Sequence, residues 1–215
     1  MAVHGAIFDM DGTLTASMHI WATIGSEFLK ARGITPADDF DRRFTSMSVY
    51  EAVGFMMKEY NIEGSRDEIT DAIDKTVEGK YRNEVILKEG VAEFLEYLKS
   101  KNIPMCVATA TDEYIASETL ERLGVRHYFK EIITSRMIGL GKDHPDIFLE
   151  CARLLGTKPN ETAVFEDSVV AIRTATKAGF FTAAVPDKSF EYAWDEIKET
   201  ASAYAEKLSD YIGKI

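Results

Sequence analysis

Apolar positions along the chain fall into two kinds of run. Five runs are short, continuous and rich in β-branched or aromatic residues: Val3–Phe8, Ile103–Ala108, Glu131–Thr134, Thr162–Phe165 and Phe180–Val185. Runs of that length and make-up predict strands buried on both faces. Between the later ones, apolar residues recur three and four positions apart, as Val91, Phe94, Leu95 and Leu98 do. That spacing predicts helices with one face against a core. Two such patterns stop at Gly124 and Gly156, and another starts at the capping pair Asp167-Ser168 and stops at Gly179. Strands alternating with helices through short connections predict an α/β fold of the doubly wound (Rossmann-like) class, a parallel sheet with helices on both faces.

The alternation breaks once. Between the first strand and Lys88 there are only helical patterns: Ile20, Ile24 and Phe28, closing at Gly33; Val49, Val53, Met56, Met57 and Tyr60; and a more polar stretch from Arg66 to about Tyr81. They predict a small all-helical cap, residues 16–87, inserted into a core made of residues 1–15 and 88–215. The chain leaves the core near Thr15 and returns near Leu87, so the cap is expected over the end of the sheet that carries Asp9 and Asp11. Beyond Phe190, residues Ile197, Ala201, Tyr204, Leu208 and Tyr211 share one stripe and predict further helix.

Charge narrows the partners. The formal net charge of −11 over 215 residues disfavours nucleic acid and anionic membrane surfaces, and neither is expected as a partner. A small anionic substrate stays compatible, because a local cluster of donors can override the global field. No apolar segment approaches the ~20 residues needed to span a bilayer, and no signal peptide is visible, so a cytoplasmic location is expected. Cys106 and Cys151 sit inside apolar patterns and are expected to be buried and reduced. The acidic surface, with no long apolar heptad, predicts a monomer.

In open α/β sheets, ligands bind beyond the carboxyl ends of the strands. There the first run is followed by "DMDGTLT", with Asp9 and Asp11; the second by Thr109; the fourth by Glu166 and Asp167. Lys142, in "GKDHPDIF", stands just before a helix. Each has an ordinary explanation alone, as a turn, a strand end, a helix cap or a solvated lysine. Their convergence on one sheet edge instead suits phosphoryl transfer through an aspartyl phosphate. In that reading Asp9 attacks, and Asp11 protonates the leaving oxygen and later deprotonates water. Thr109 and Lys142 bind the phosphate. Mg²⁺ is held by Asp9, Asp167 and the backbone carbonyl of Asp11, with Glu166 behind the ligands.

These motifs, in this order and with a helical insertion after the first, resemble the haloacid dehalogenase-like (HAD) hydrolase superfamily. The likeness is greatest to its helical-cap subfamily I, the branch that includes β-phosphoglucomutase and many sugar-phosphate phosphatases. The resemblance implies the same roles: Asp9 as nucleophile, Asp11 as general acid/base, Thr109 and Lys142 as phosphate binders and Asp167 as a Mg²⁺ ligand. Members that cleave carbon–halogen bonds typically lack the second Asp, which is present here as Asp11. The expected activity is Mg²⁺-dependent hydrolysis of a small phosphorylated metabolite, a sugar phosphate or nucleotide. The alternative is a phosphosugar mutase using the same covalent step. The His and Arg of the mutase-type caps fall on Trp21 and near Val49, which weakens that alternative. Substrate specificity is expected in the cap, with Trp21, Arg42 and Arg43 as candidates; the two arginines could hold a second anionic group or pair with Asp38, Asp39 or Asp41.

Overall fold

The computed structural model describes residues 3–40, 43 and 49–215. In chain order its elements are β1 (Gly5–Phe8), α1 (Met18–Trp21), α2 (Ile24–Ala31), α3 (Val49–Tyr60), α4 (Arg66–Asn83), α5 (Val91–Ser100), β2 (Met105–Thr109) and α6 (Glu113–Arg122). Then follow β3 (Phe129–Thr134), α7 (Ser135–Ile138), α8 (Asp146–Leu155), β4 (Thr162–Glu166), α9 (Val169–Lys177), β5 (Phe181–Ala184), α10 (Trp194–Thr200) and β6 (Ala203–Tyr204), joined by short 3₁₀ turns. The chain divides into two compact units, Met1–Ala16 with Ile86–Ile215, and Ser17–Val85.

The larger unit is built on one six-stranded sheet in the order β3-β2-β1-β4-β5-β6, every pairing parallel. Alternation along the strands divides the core into two layers. Ile7 stands beside Cys106 and Val164, and these pack with Phe148, Cys151 and Ala152 of α8 and with Ala171 and Ala175 of α9. One residue on, Phe8 stands beside Val107 and Phe165. Phe8 stacks on Phe165 at 4.6 Å between centroids and meets Phe94 of α5 and Phe129 edge-on. The sheet is therefore covered on both faces, which is why its central strands carry almost no polar residue until their carboxyl ends. Both cysteines are buried and unbridged.

The C-terminal region departs from the expected helix. α10 stops at Thr200, and Ala203–Tyr204 add a sixth strand beside β5, with Ala203 opposite Ala183. Side chains hold this pairing: the Thr182 amide donates to Ser202 Oγ at 3.2 Å, and the Ser202 amide to Thr182 Oγ1 at 3.1 Å. Two apolar residues at helical spacing, Ile197 and Leu208, thus belong to a helix and to a 3₁₀ turn on either side of a strand.

Among its described residues, every regular element of the Ser17–Val85 unit is a helix. The pattern through Ile20, Ile24 and Phe28 is two helices, because Thr23 interrupts it as the cap residue ahead of α2 and donates to Glu27 at 2.8 Å. α4 opens with a reciprocal capping box between Ser65 and Glu68. In the larger unit, the chain segments on either side of this excursion lie side by side: Thr15 bridges Leu87, and the Ala16 amide donates to the Ile86 carbonyl.

Candidate active site

The sheet winds outward from β1 to β3 on one side and from β4 to β6 on the other. The order reverses between β1 and β4, and in doubly wound sheets the crevice beyond the carboxyl ends at such a reversal receives the ligand. Asp9 follows β1, and Glu166-Asp167 close β4. The Asp9 amide donates to the Phe165 carbonyl at 3.0 Å, which fixes the strand ends beside each other.

Lys142 reaches this crevice from the segment between α7 and α8. Its ammonium bonds Asp9 Oδ1 and, at 2.6 Å, Glu166 Oε1. The second Glu166 oxygen accepts the amides of Asp167 and Ser168, at 3.0 and 2.9 Å. Glu166 is thus engaged at both oxygens and satisfies two amides ahead of α9. Ser168 is the cap residue by position but makes no side-chain cap bond.

One oxygen from each of Asp9, Glu166 and Asp167 lies within 4.8 Å of the others, all three residues being buried. Asp9 Oδ2 and Asp167 Oδ2 are buried without a hydrogen-bond partner. Burial pushes the Asp9 carboxyl up to about 8, with Lys142 opposing the rise and the charges of Glu166 and Asp11 adding to it. Asp167 is also raised, by burial first and then by the charges of Asp9, Glu166 and Asp187. Burial draws the Lys142 ammonium down, but the charges of Asp9 and Glu166 outweigh it and hold the group above its ordinary range. A single ammonium therefore leaves this buried carboxylate cluster short of positive charge. Orphaned oxygen donors in that situation fit a hard dication such as Mg²⁺, which takes oxygen ligands.

Asp11 lies in a tight loop. Gly12 has φ of 93°, a conformation glycine adopts without strain, and its amide donates to the Thr15 carbonyl at 2.9 Å. The Thr15 hydroxyl returns to the Met10 carbonyl at 3.0 Å. Asp11 Oδ2 accepts a 2.6 Å bond from the Thr111 hydroxyl, while Thr109 Oγ1 is 3.5 Å away. Thr109, buried at the end of β2, instead accepts the Thr111 amide at 3.0 Å. Thr111 was not singled out by the sequence motifs. Its signal was the Thr-Ala-Thr spacing at the strand end, which can turn two hydroxyls to one side.

Thus Lys142 joins Asp9 and Glu166, an Asp167 oxygen lies within 4.8 Å of theirs, and Asp11, Thr109 and Thr111 form a second connected group beside them. Of the candidates in the helical unit, Trp21 donates its indole N–H to the Tyr81 hydroxyl at 2.6 Å. Arg43 pairs in a bidentate fork with Glu59, at 2.9 and 2.7 Å, and the charge of Asp39 also acts on it. Arg42 lies outside the described residues.

A family model for haloacid dehalogenase-like hydrolases matches residues 3–179. The chain belongs to that family. Its match to a phosphorylated carbohydrates phosphatase of Thermotoga maritima is 30% identical over 179 residues, 82% of each protein. Its match to the validoxylamine A 7'-phosphate phosphatase of Streptomyces hygroscopicus subsp. limoneus is 26% identical and again covers 82% of each. The fold is shared with β-phosphoglucomutase from Clostridium difficile, at a TM-score of 0.81 and 20% identity over 99% of this chain and 96% of that one. This hydrolase thus falls in the β-phosphoglucomutase- and phosphatase-like branch of the family, as its motifs suggested.

Proposed function

We propose that this phosphoric monoester hydrolase is a Mg²⁺-dependent phosphatase acting on a small phosphorylated carbohydrate through an aspartyl phosphate at Asp9. The observation that carries the reading is the pair of unpartnered buried oxygens, Asp9 Oδ2 and Asp167 Oδ2, beside the Lys142 ammonium that already grips Asp9. Asp9, Asp167 and the Asp11 backbone carbonyl would hold the ion. When bound, Mg²⁺ supplies positive charge that favours the ionised carboxylates and lets an anionic ester approach them.

The chain's own groups then divide the reaction. Lys142 and the Thr109 hydroxyl bind the phosphoryl oxygens where charge accumulates. An Asp9 oxygen attacks phosphorus; a bond forms between them and the ester P–O bond breaks, its electron pair leaving with the sugar oxygen. Asp11 delivers a proton to that oxygen. It next takes a proton from water, whose oxygen attacks the phosphorus and releases inorganic phosphate and the Asp9 carboxylate. The named carbohydrate phosphatase among the relatives supports the substrate class.

The test is phosphate release from a panel of sugar phosphates, nucleotides and other phosphorylated metabolites, with Mg²⁺ and with chelator, beside Asp9→Asn. Mg²⁺-dependent release, reduced by at least ~10³-fold in the variant, is the expected result. Conversion of a sugar phosphate to its isomer without phosphate release would replace the reading by a mutase.

A further inference from the structure

We infer that Thr111 is the positioning residue for Asp11, holding its carboxylate for proton delivery to the leaving oxygen. The inference rests on the phosphatase reading above and adds to it a residue that the motif pattern leaves out. Thr111 is 2% exposed. A buried hydroxyl must find an acceptor, and this one donates to Asp11 Oδ2 at 2.6 Å, within the range of a charge-assisted O–H···O⁻ bond.

Thr109, two residues earlier, does not compete for that role. Its hydroxyl donates to the same oxygen only at 3.5 Å, the limit of a hydrogen bond, against 2.6 Å for Thr111. The two hydroxyls therefore differ in their hold: Thr111 grips Asp11, and Thr109, bonded only weakly, can turn its proton to a phosphoryl oxygen. The anchor is rigid because the Thr111 backbone is tied through Thr109 to the end of β2, a fully buried strand. The loop carrying Asp11 is separately closed by Gly12 and Thr15. Thr111 thus joins the ends of two neighbouring strands through the one side chain that must transfer a proton.

A residue acting through a general acid matters most when the leaving group needs a proton. Thr111→Val removes the hydroxyl and keeps the shape and the amide bond to Thr109. Its effect is read as kcat/KM, which reports the first phosphoryl transfer, on two substrates of the Mg²⁺-loaded protein. One is the best sugar phosphate of the panel, whose alkoxide must be protonated. The other is 4-nitrophenyl phosphate, whose phenolate leaves without a proton. The expected loss is about 10–100-fold on the sugar phosphate and under about 3-fold on the aryl ester. Thr111→Ser, which keeps the hydroxyl, is expected within about 3-fold of the unaltered protein on both. Equal losses on the two substrates, or a serine variant as impaired as valine, would overturn the assignment while leaving the phosphatase standing. Absence of turnover in the unaltered protein would overturn both. Thr111→Ala gives the same comparison if the valine variant does not fold.

Discussion

Lys142 is the residue whose removal separates folding from chemistry most sharply. It is the ammonium bonded to both Asp9 and Glu166, and its side chain is 13% exposed. Thermal or denaturant unfolding without metal is expected to show Lys142→Met destabilised by roughly 3–5 kcal/mol, because two buried carboxylates lose their partner. Adding Glu166→Gln should recover part of that stability, since one of the repelling charges is gone. Phosphate release should not recover, and is expected to stay at least ~10²-fold down, because the anchor for the phosphoryl oxygens is absent in both variants. Recovery of turnover in the double variant would remove Lys142 from the proposed machinery. Much at this scale was legible in the sequence, since Asp9, Lys142 and Asp167 stand at strand ends or before a helix. What was not legible is who serves whom. The Glu166 carboxylate closes the strand, gripped by Lys142 through one oxygen and accepting the Asp167 and Ser168 amides through the other, while Ser168, placed to cap α9, makes no side-chain cap bond.

Among the elements, the loops beyond β1 and β5 depend on a residue from a third segment. The Lys88 ammonium donates to the Gly12 carbonyl at 2.5 Å and to the Pro186 carbonyl at 2.7 Å, with Asp187 at 3.5 Å. Lys88→Met should therefore loosen the loop that carries Asp11. Stability is expected to fall by about 1.5–3 kcal/mol, as for lost bonds to a charged group, and kcat should fall with it. An unchanged melting temperature would show that the loop holds itself through Gly12 and Thr15 alone. Five strands and the α/β alternation could be read directly, because runs buried on both faces leave continuous apolar stretches. β6 could not. Two residues are too few for a pattern, and their pairing rests on Thr182 and Ser202, which lie twenty positions apart.

For the molecule as a whole, the buried carboxylates set a dependence on pH and metal. Asp9 is raised from an ordinary value of 3.8 to about 8, and Asp167 is raised as well. The folded state therefore binds these protons more tightly than the unfolded chain. Stability from such groups is full below the unfolded value and is lost as pH rises through the folded one. The metal-free protein is expected to lose stability between about pH 4 and pH 8. A dication held by the same oxygens favours their ionised form and opposes that loss. With Mg²⁺ at about a hundredfold over its Kd, melting at about pH 8 should rise by roughly 5–10 °C. The rise should be much smaller near pH 5.5, where protons held by the raised carboxyls compete with the ion, and chelator should abolish it. An equal rise at both pH values would argue against a site made of Asp9 and Asp167. Among the described residues, no helix is long and apolar enough to cross a membrane.

The first five strands alternating with helices, the insertion after the first strand, and the acidic, hydroxyl and lysine positions at strand ends or before a helix were legible in the sequence alone. They are local or periodic properties: burial on one or two faces dictates which positions must be apolar, and turns and caps dictate their neighbours. The tertiary structure decided the pairings. Only the parallel register that sets Phe8 beside Phe165 brings Asp9 to Asp167, and only the meeting of the β1 and β2 ends gives Asp11 its Thr111 partner. Hydrogen bonds and charge pairs act over a few ångströms between residues a hundred or more positions apart, and no local pattern encodes which of several suitable groups will be the one within reach.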